Sequence, residues 1–310
     1  MTPRQLPLFP TDSEHALTRH SALVECLGPF QEHLRQEGRS QHTINAFTSD
    51  LNLLCEFFGD DTSLGDFTTS RLNRFMEWVE SGRGVPCSRK SYARRVTTLK
   101  VFFKFLKREG ALRDDPASAL LQRSGAAPLQ PVLSDGEIQR LLAHTLSLRL
   151  ADKADARPDL LARLLLDTGL KKSECMALTR ESIRRSDPAA PLLVIRYKKP
   201  NNVYKERKVA LDPDWLTVLD EYLQQYRQTE TIFDCTARNL EYVLHDAASG
   251  AGITTKVSFE TLRWTCAVRD YQRGMDMDQL REKMGLSRIS WRETSDKIIR
   301  LAVMQQEKRI

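Results

Sequence analysis

The chain of 310 residues has few cysteines, and none of them is paired in sequence. Cys26, Cys55, Cys87, Cys175, Cys235 and Cys266 stand singly with no C-x-x-C step, which argues against a zinc site or a disulfide framework. Inert thiols in a reducing cytosol are the simpler reading. No apolar run approaches the length of a membrane span. The first residues lack the basic-then-apolar pattern of a signal peptide, so a soluble, cytoplasmic protein with no membrane partner is expected. No internal repeat is visible, which excludes a solenoid. Two further gaps concern chemistry. Tyr271 is the last tyrosine and His245 the last histidine, so residues 272–310 contain neither a phenol nor an imidazole. From Arg83 to Arg108 there is no acidic residue at all.

What is present points to two domains. The length suffices for a real core in each. Lys+Arg is 47 against Asp+Glu at 41, a mild excess whose placement matters more than its size. Residues 1–20 carry three prolines and no helical period, and read as a flexible tail. Residues 21–125 predict four helices, at about 22–37, 40–58, 70–79 and 88–109, with Gly38, Gly59 and Gly110 as stops. In the fourth, Tyr92, Val96, Leu99, Phe103 and Leu106 make one buried face. Arg83, Arg89, Lys90, Arg94, Arg95, Lys100, Lys104, Lys107 and Arg108 supply charge of one sign. A solvated helix ordinarily mixes signs for i,i+4 pairing, and an unmixed face repels itself unless a polyanion neutralises it. Double-stranded DNA is the natural partner, and Arg89, Lys90, Arg94, Arg95, Lys100 and Lys104 are the candidate contacts.

Residues 126–131 form a short Gly/Ala/Pro linker, and a second domain spans 132–310. It opens on a capping box, Ser134 with Glu137, over a helix at 137–144. Helices are also expected at 159–168, 215–226 and 238–251. Between them, strands at 192–197 and 203–211 flank a Pro200-Asn201-Asn202 turn and predict a β-hairpin.

Several stretches resemble one family. Thr168-Gly169-Leu170-Lys171-Lys172-Ser173-Glu174 is similar to the T-G-L-R-x-S-E motif of the tyrosine recombinases, the phage-integrase and Xer-type strand-exchange enzymes. Lys205-Glu206-Arg207-Lys208-Val209-Ala210-Leu211 resembles that family's basic hairpin, and Asp115-Pro116-Ala117 its Asn-Pro-Ala. The stretch 257–295 keeps the family's spacing: Glu260-Thr261-Leu262-Arg263 for His-x-x-Arg, Met284-Gly285-Leu286 for Leu-Gly-His, and Ser295 where Tyr falls nine residues on. The resemblance covers roughly residues 20–300. It implies a mainly α fold with a small β-sheet, in which a helical SAM-like core-binding domain precedes an integrase catalytic-type domain and the two clamp DNA from opposite sides.

The resemblance also implies chemistry without a metal or other cofactor. A Tyr attacks a phosphodiester, two Arg grip the nonbridging oxygens, a hairpin Lys protonates the leaving oxygen, and His groups assist. In this chain Lys171 stands for the first Arg and has lost its planar fork. Lys199, or Lys198, takes the hairpin position. Glu260 replaces the first His and repels phosphate. Arg263 is retained, Trp264 and Leu286 stand where His is expected, and Ser295 replaces the nucleophile. Arg263 reads either as a phosphate contact or as the salt-bridge partner of Glu174. Lys171 reads either as a phosphate contact or as a solvated helix end. A serine on the same backbone falls short of a phenol's reach and lacks a base.

No catalytic set is intact, so the expectation is a DNA-binding protein that does not cleave and that regulates or scaffolds recombination or integration. An active recombinase or further copies of this chain are its partners on DNA. One alternative is an atypical recombinase whose partner supplies the Tyr. Another is a protein-interaction adaptor. Gln5-Leu6-Pro7-Leu8-Phe9 resembles the pentapeptide by which many bacterial proteins dock on the DNA polymerase sliding clamp, with Gln5, Leu6, Leu8 and Phe9 as the contacts. Its Leu and Phe read equally as packing on their own domain.

Overall fold

The computed structural model describes residues 17–122, 128–198, 200–227 and 229–307. The chain divides into two compact units, Met1–Ala127 and Pro128–Ile310.

The N-terminal unit is helical. A 3-10 turn, Val24–Cys26, precedes α1 (Leu27–Gln36), so the first helix is split where one was expected. Pro29 does not break α1, because in a first turn its missing N–H has no intrahelical acceptor to lose. Then come α2 (Gln41–Phe58), α3 (Thr69–Glu77) and α4 (Arg89–Arg108). Each begins on a hydroxyl, Ser40, Thr68 or Ser88, which accepts from the backbone N–H three residues on. The core is aromatic, with Phe30, Phe75, Phe102 and Phe103 fully buried. The ring of Phe30 meets that of Phe102 edge-on at 5.2 Å. The buried face of α4 is wider than its four-three spacing predicts. Phe102 and Phe105 join Val96, Leu99, Phe103 and Leu106 inside, and Tyr92 is only half-buried.

The C-terminal unit starts on the expected capping box: Ser134 N donates to Glu137 at 2.8 Å, and Glu137 N donates to Ser134 at 3.3 Å. The helix it opens, α5 (Asp135–Arg149), runs past His144. α6 (Arg157–Thr168) is the central helix of the unit, packed by α5, by α8 (Pro213–Gln225), by α9 (Ala237–Gly250) and by α10 (Phe259–Gln272). It ends at Gly169 in the left-handed conformation, φ 60°, and is followed by α7 (Lys172–Met176). An antiparallel three-stranded sheet, ordered β1-β2-β3, comprises β1 (Ile183–Arg184), β2 (Leu192–Ile195) and β3 (Arg207–Ala210). Leu193 lies opposite Val209 and Ile195 opposite Arg207. The second hairpin strand is shorter than expected, because residues 200–205 form a 3-10 turn. α10 is buried on nearly every side, as a helix with little amphipathic pattern must be. α11 (Met277–Lys283) and α12 (Arg288–Glu307) close the unit. Ile298, Leu301 and Ala302 of α12 pack with Trp264, Val268, Leu280 and Met284 in a smaller second core. Gln305 adds a hydrogen bond to Leu133 O at 2.8 Å. No helix among the described residues is long and apolar enough to cross a membrane.

Candidate nucleic-acid interface and the degenerate catalytic pocket

The two basic regions differ in what surrounds them. On α4, Arg89, Lys90, Lys104 and Lys107 are exposed, Lys100 is half-buried, and no described ion pair involves any of them. Arg94 and Arg95 depart from the expectation of a wholly unpaired face. Asp50, buried on α2, lies 2.9 Å from Arg94 and 3.5 Å from Arg95. Its carboxylate also accepts from Thr98 at 2.9 Å. Burial pushes the Asp50 carboxyl up, against the pull of Thr98 and both guanidiniums. The segment 83–108 contains no acid, but a neighbouring helix brings one. Sequence distance hid it: Asp50 is 48 residues from Thr98.

In the C-terminal unit the centre of the site is Glu174, which sequence reasoning gave to Arg263. The structure corrects that pairing. Arg207 forks onto Glu174, Nη1 to Oε1 at 3.0 Å and Nη2 to Oε2 at 2.8 Å. The Tyr197 hydroxyl also donates to this carboxylate, as does Lys171 N at 2.9 Å. Burial alone would raise the Glu174 carboxyl, but Arg207, then Tyr197 and the Lys171 N–H, outweigh it and hold it at about 2. Burial and the bond to Glu174 push the Tyr197 phenol up to about 12. Arg207 is the keystone that the sequence reading passed over. The signal was the match of Lys205-Glu206-Arg207 to the family's hairpin.

Around this pair, three cations hold three consecutive carbonyls at the end of α11. Arg207 Nε donates to Lys283 O at 2.7 Å, Arg263 Nη2 to Met284 O at 2.6 Å, and Lys171 Nζ to Gly285 O at 3.1 Å. Arg263 Nη1 turns to Gly169 O, which the left-handed end of α6 presents. The last carbonyls of a helix have no intrahelical donor and carry its partial negative charge, so cations satisfy them well. Gly285 permits the close approach: its φ is 57°, and a Cβ there would lie 2.6 Å from Arg207 Nη1. Arg263 is 5% exposed, and burial lowers its pKa. Burial, joined by the charges of Arg263 and Arg207, brings Lys171 down to about 8 despite Glu174 at 3.8 Å. Lys171 is therefore not a freely solvated helix end.

The other positions stand apart from this cluster. Glu260 is exposed on α10 and accepts from Trp264 Nε1 at 2.8 Å. Leu286 is half-buried against the second core. Ser295 lies within α12, and its hydroxyl donates to Arg292 O of the same helix at 3.0 Å. Lys199, like Gln5, Leu6, Leu8 and Phe9, lies outside the described residues. A cleft of about 540 Å3 opens beside the cluster, lined by Tyr204, Lys208, Gln279, Arg281, Lys283 and Leu286 among others.

Fold and spacing both meet known proteins here. The family model "Phage integrase, N-terminal SAM-like domain" matches residues 27–110, and "Phage integrase family" matches residues 131–293. This chain belongs to the phage integrase family of tyrosine recombinases. Among its relatives, tyrosine recombinase XerC of Oceanobacillus iheyensis is 25% identical over 280 residues, covering 84% of this chain and 87% of that protein. Tyrosine recombinase XerD of Listeria innocua is 24% identical over 272 residues, covering 82% and 87%. In fold, the chain is similar to the XerH site-specific recombinase in a post-cleavage complex with palindromic difH substrate. The TM-score is 0.72 at 18% identity, over 93% of this chain and 84% of that one. A lambda integrase dimer bound to a COC' core site gives 0.68 at 16% identity, over 88% and 76%.

Proposed function

We propose that this chain binds double-stranded DNA without cleaving it, and regulates or scaffolds recombination or integration beside an active recombinase or further copies of itself. The observation that carries the proposal is the closed cation cluster. Lys171 and Arg263 occupy the positions where the family grips a phosphate, yet their donors are engaged by Gly285, Gly169 and Met284 carbonyls. A phosphodiester entering there would have to displace the end of α11. Ser295 offers no phenol, and no imidazole lies in the sequence beyond His245. DNA binding rests instead on the open cations of α4, and on relatives whose solved complexes contain DNA.

Salt titration of duplex binding, joined to a nicked suicide substrate, tests this. The expected result is affinity that falls steeply with salt, by about 0.9 in the log–log slope per phosphate contacted, with no covalent protein–DNA adduct. Ser295→Tyr alone is also expected to give no adduct, because the cations remain engaged. An adduct from the unaltered chain overturns the no-cleavage reading, and salt-independent or absent binding overturns the DNA reading.

We further propose that Gln5, Leu6, Leu8 and Phe9 dock on the polymerase sliding clamp. Leu8→Ala with Phe9→Ala is then expected to abolish binding to purified clamp, and unchanged binding removes the idea.

A further inference from the structure

The connection between β2 and β3 is explained by neither the cation cluster nor the basic helix. It is a 3-10 turn, Pro200–Lys205, tied at its end by Glu206 N to Val203 O at 2.9 Å and by Lys205 Nζ to Asn202 Oδ1 at 2.6 Å. On this braced turn Val203 and Tyr204 stand side by side, 54% and 61% exposed. The surroundings are cationic. Arg196, Lys198 and Lys208 are exposed, and Lys205 Nζ sits 5.1 Å from the centre of the Tyr204 ring. Glu206 is the one acid in the segment 196–208, and its carboxylate is engaged by Tyr197 N at 2.8 Å.

An apolar pair ringed by charge of one sign fits an apolar protein surface poorly, since docking would strip water from unpaired cations. It fits a polyanion with an apolar interior. Duplex DNA is that partner: phosphates line its rim, and base steps between them accept apolar side chains from the minor groove. We infer that Val203 and Tyr204 form a wedge that enters the minor groove and partly unstacks one base step, while Arg196, Lys198 and Lys208 hold the flanking phosphates. This rests on the DNA-binding reading above and deepens it. Pyrimidine–purine steps such as TA and CA unstack most easily, so the wedge gives a sequence preference that no hydrogen bond to a base reads. The braced turn matters because a floppy apolar tip would lose on ordering what it gained by insertion.

A mixed-sequence duplex carrying 2-aminopurine at its TA steps, with the full chain, tests the wedge. The unaltered chain is expected to raise 2-aminopurine emission severalfold on binding and to shorten the end-to-end distance seen by fluorescence transfer. Val203→Ser with Tyr204→Ser is expected to lose both signals while keeping the same salt slope and the same thermal unfolding. Tyr204→Phe is expected to retain both, since the ring does the work and not the hydroxyl. Binding by the unaltered chain without any rise in emission overturns the wedge and leaves the DNA reading intact, as does an equal rise from the double serine variant. Failure of the unaltered chain to bind the duplex at all overturns both.

Discussion

The basic face of α4 and the cation cluster around Glu174 are both rich in Lys and Arg, and they are opposites. On α4, Arg89, Lys90, Lys104 and Lys107 stand in water with no described ion pair. In the cluster, Arg207, Arg263 and Lys171 are wholly or largely buried and bonded to the chain's own carboxylate and carbonyls. Positive charge counted along a sequence therefore says little about charge available to a ligand. What decides is whether the fold supplies an internal acceptor before DNA does. Asp50 makes the same point within α4, where it withdraws Arg94 and Arg95 from an otherwise open face.

Substitutions on the two sides should separate stability from binding. The largest effect is expected from Arg207→Met. It leaves Glu174 charged and buried without its fork, a loss of about 3–5 kcal/mol in the free energy of unfolding by urea. A loss below 1 kcal/mol would show that the cluster does not organise the unit. Next is pH. The Glu174 carboxyl sits at about 2 against an ordinary 4.5, so its contribution is fully present above pH 4.5 and is lost as pH falls towards 2. That loss is about 3 kcal/mol, and it should vanish from the acid limb of the stability curve in Glu174→Gln, itself less stable at neutral pH.

Arg94→Ala removes one partner from buried Asp50 and should destabilise by about 1–3 kcal/mol, read from the shift in the urea midpoint. The smallest stability effect belongs to Lys104→Ala, within about 0.5 kcal/mol of the unaltered protein. Its effect should appear only on DNA, as a salt slope reduced by about 1. If Lys104→Ala instead unfolded the protein and Arg207→Met changed only DNA binding, the contrast between the two regions would be reversed.

Much of the fold was legible because local rules set it. Ser40, Thr68, Ser88 and Ser134 cap where their hydroxyls stand, and Gly169 ends α6 where a left-handed residue was needed. The site was legible only as spacing. Lys171, Glu174 and Arg263 could be placed in the family's frame, but not their partners, because those come from Gly285, Met284 and Arg207 across long sequence separations. The 3-10 turn at residues 200–205 was read as strand because Val203 and Tyr204 are β-formers by propensity, which tertiary context overrides.

Gly285 gives the closed cluster a consequence for the chain's possible history. Its left-handed backbone and the guanidinium beside it leave no room for even a methyl group, so alanine there would dislodge Arg207 and loosen Glu174 together. Reopening the pocket stepwise would therefore pass through a destabilised intermediate. Regaining a tyrosine alone would meet a pocket still filled by the chain itself. The route back to strand exchange runs uphill in folding before it gains anything in chemistry, which makes the closed state a trap for drift as well as a structure.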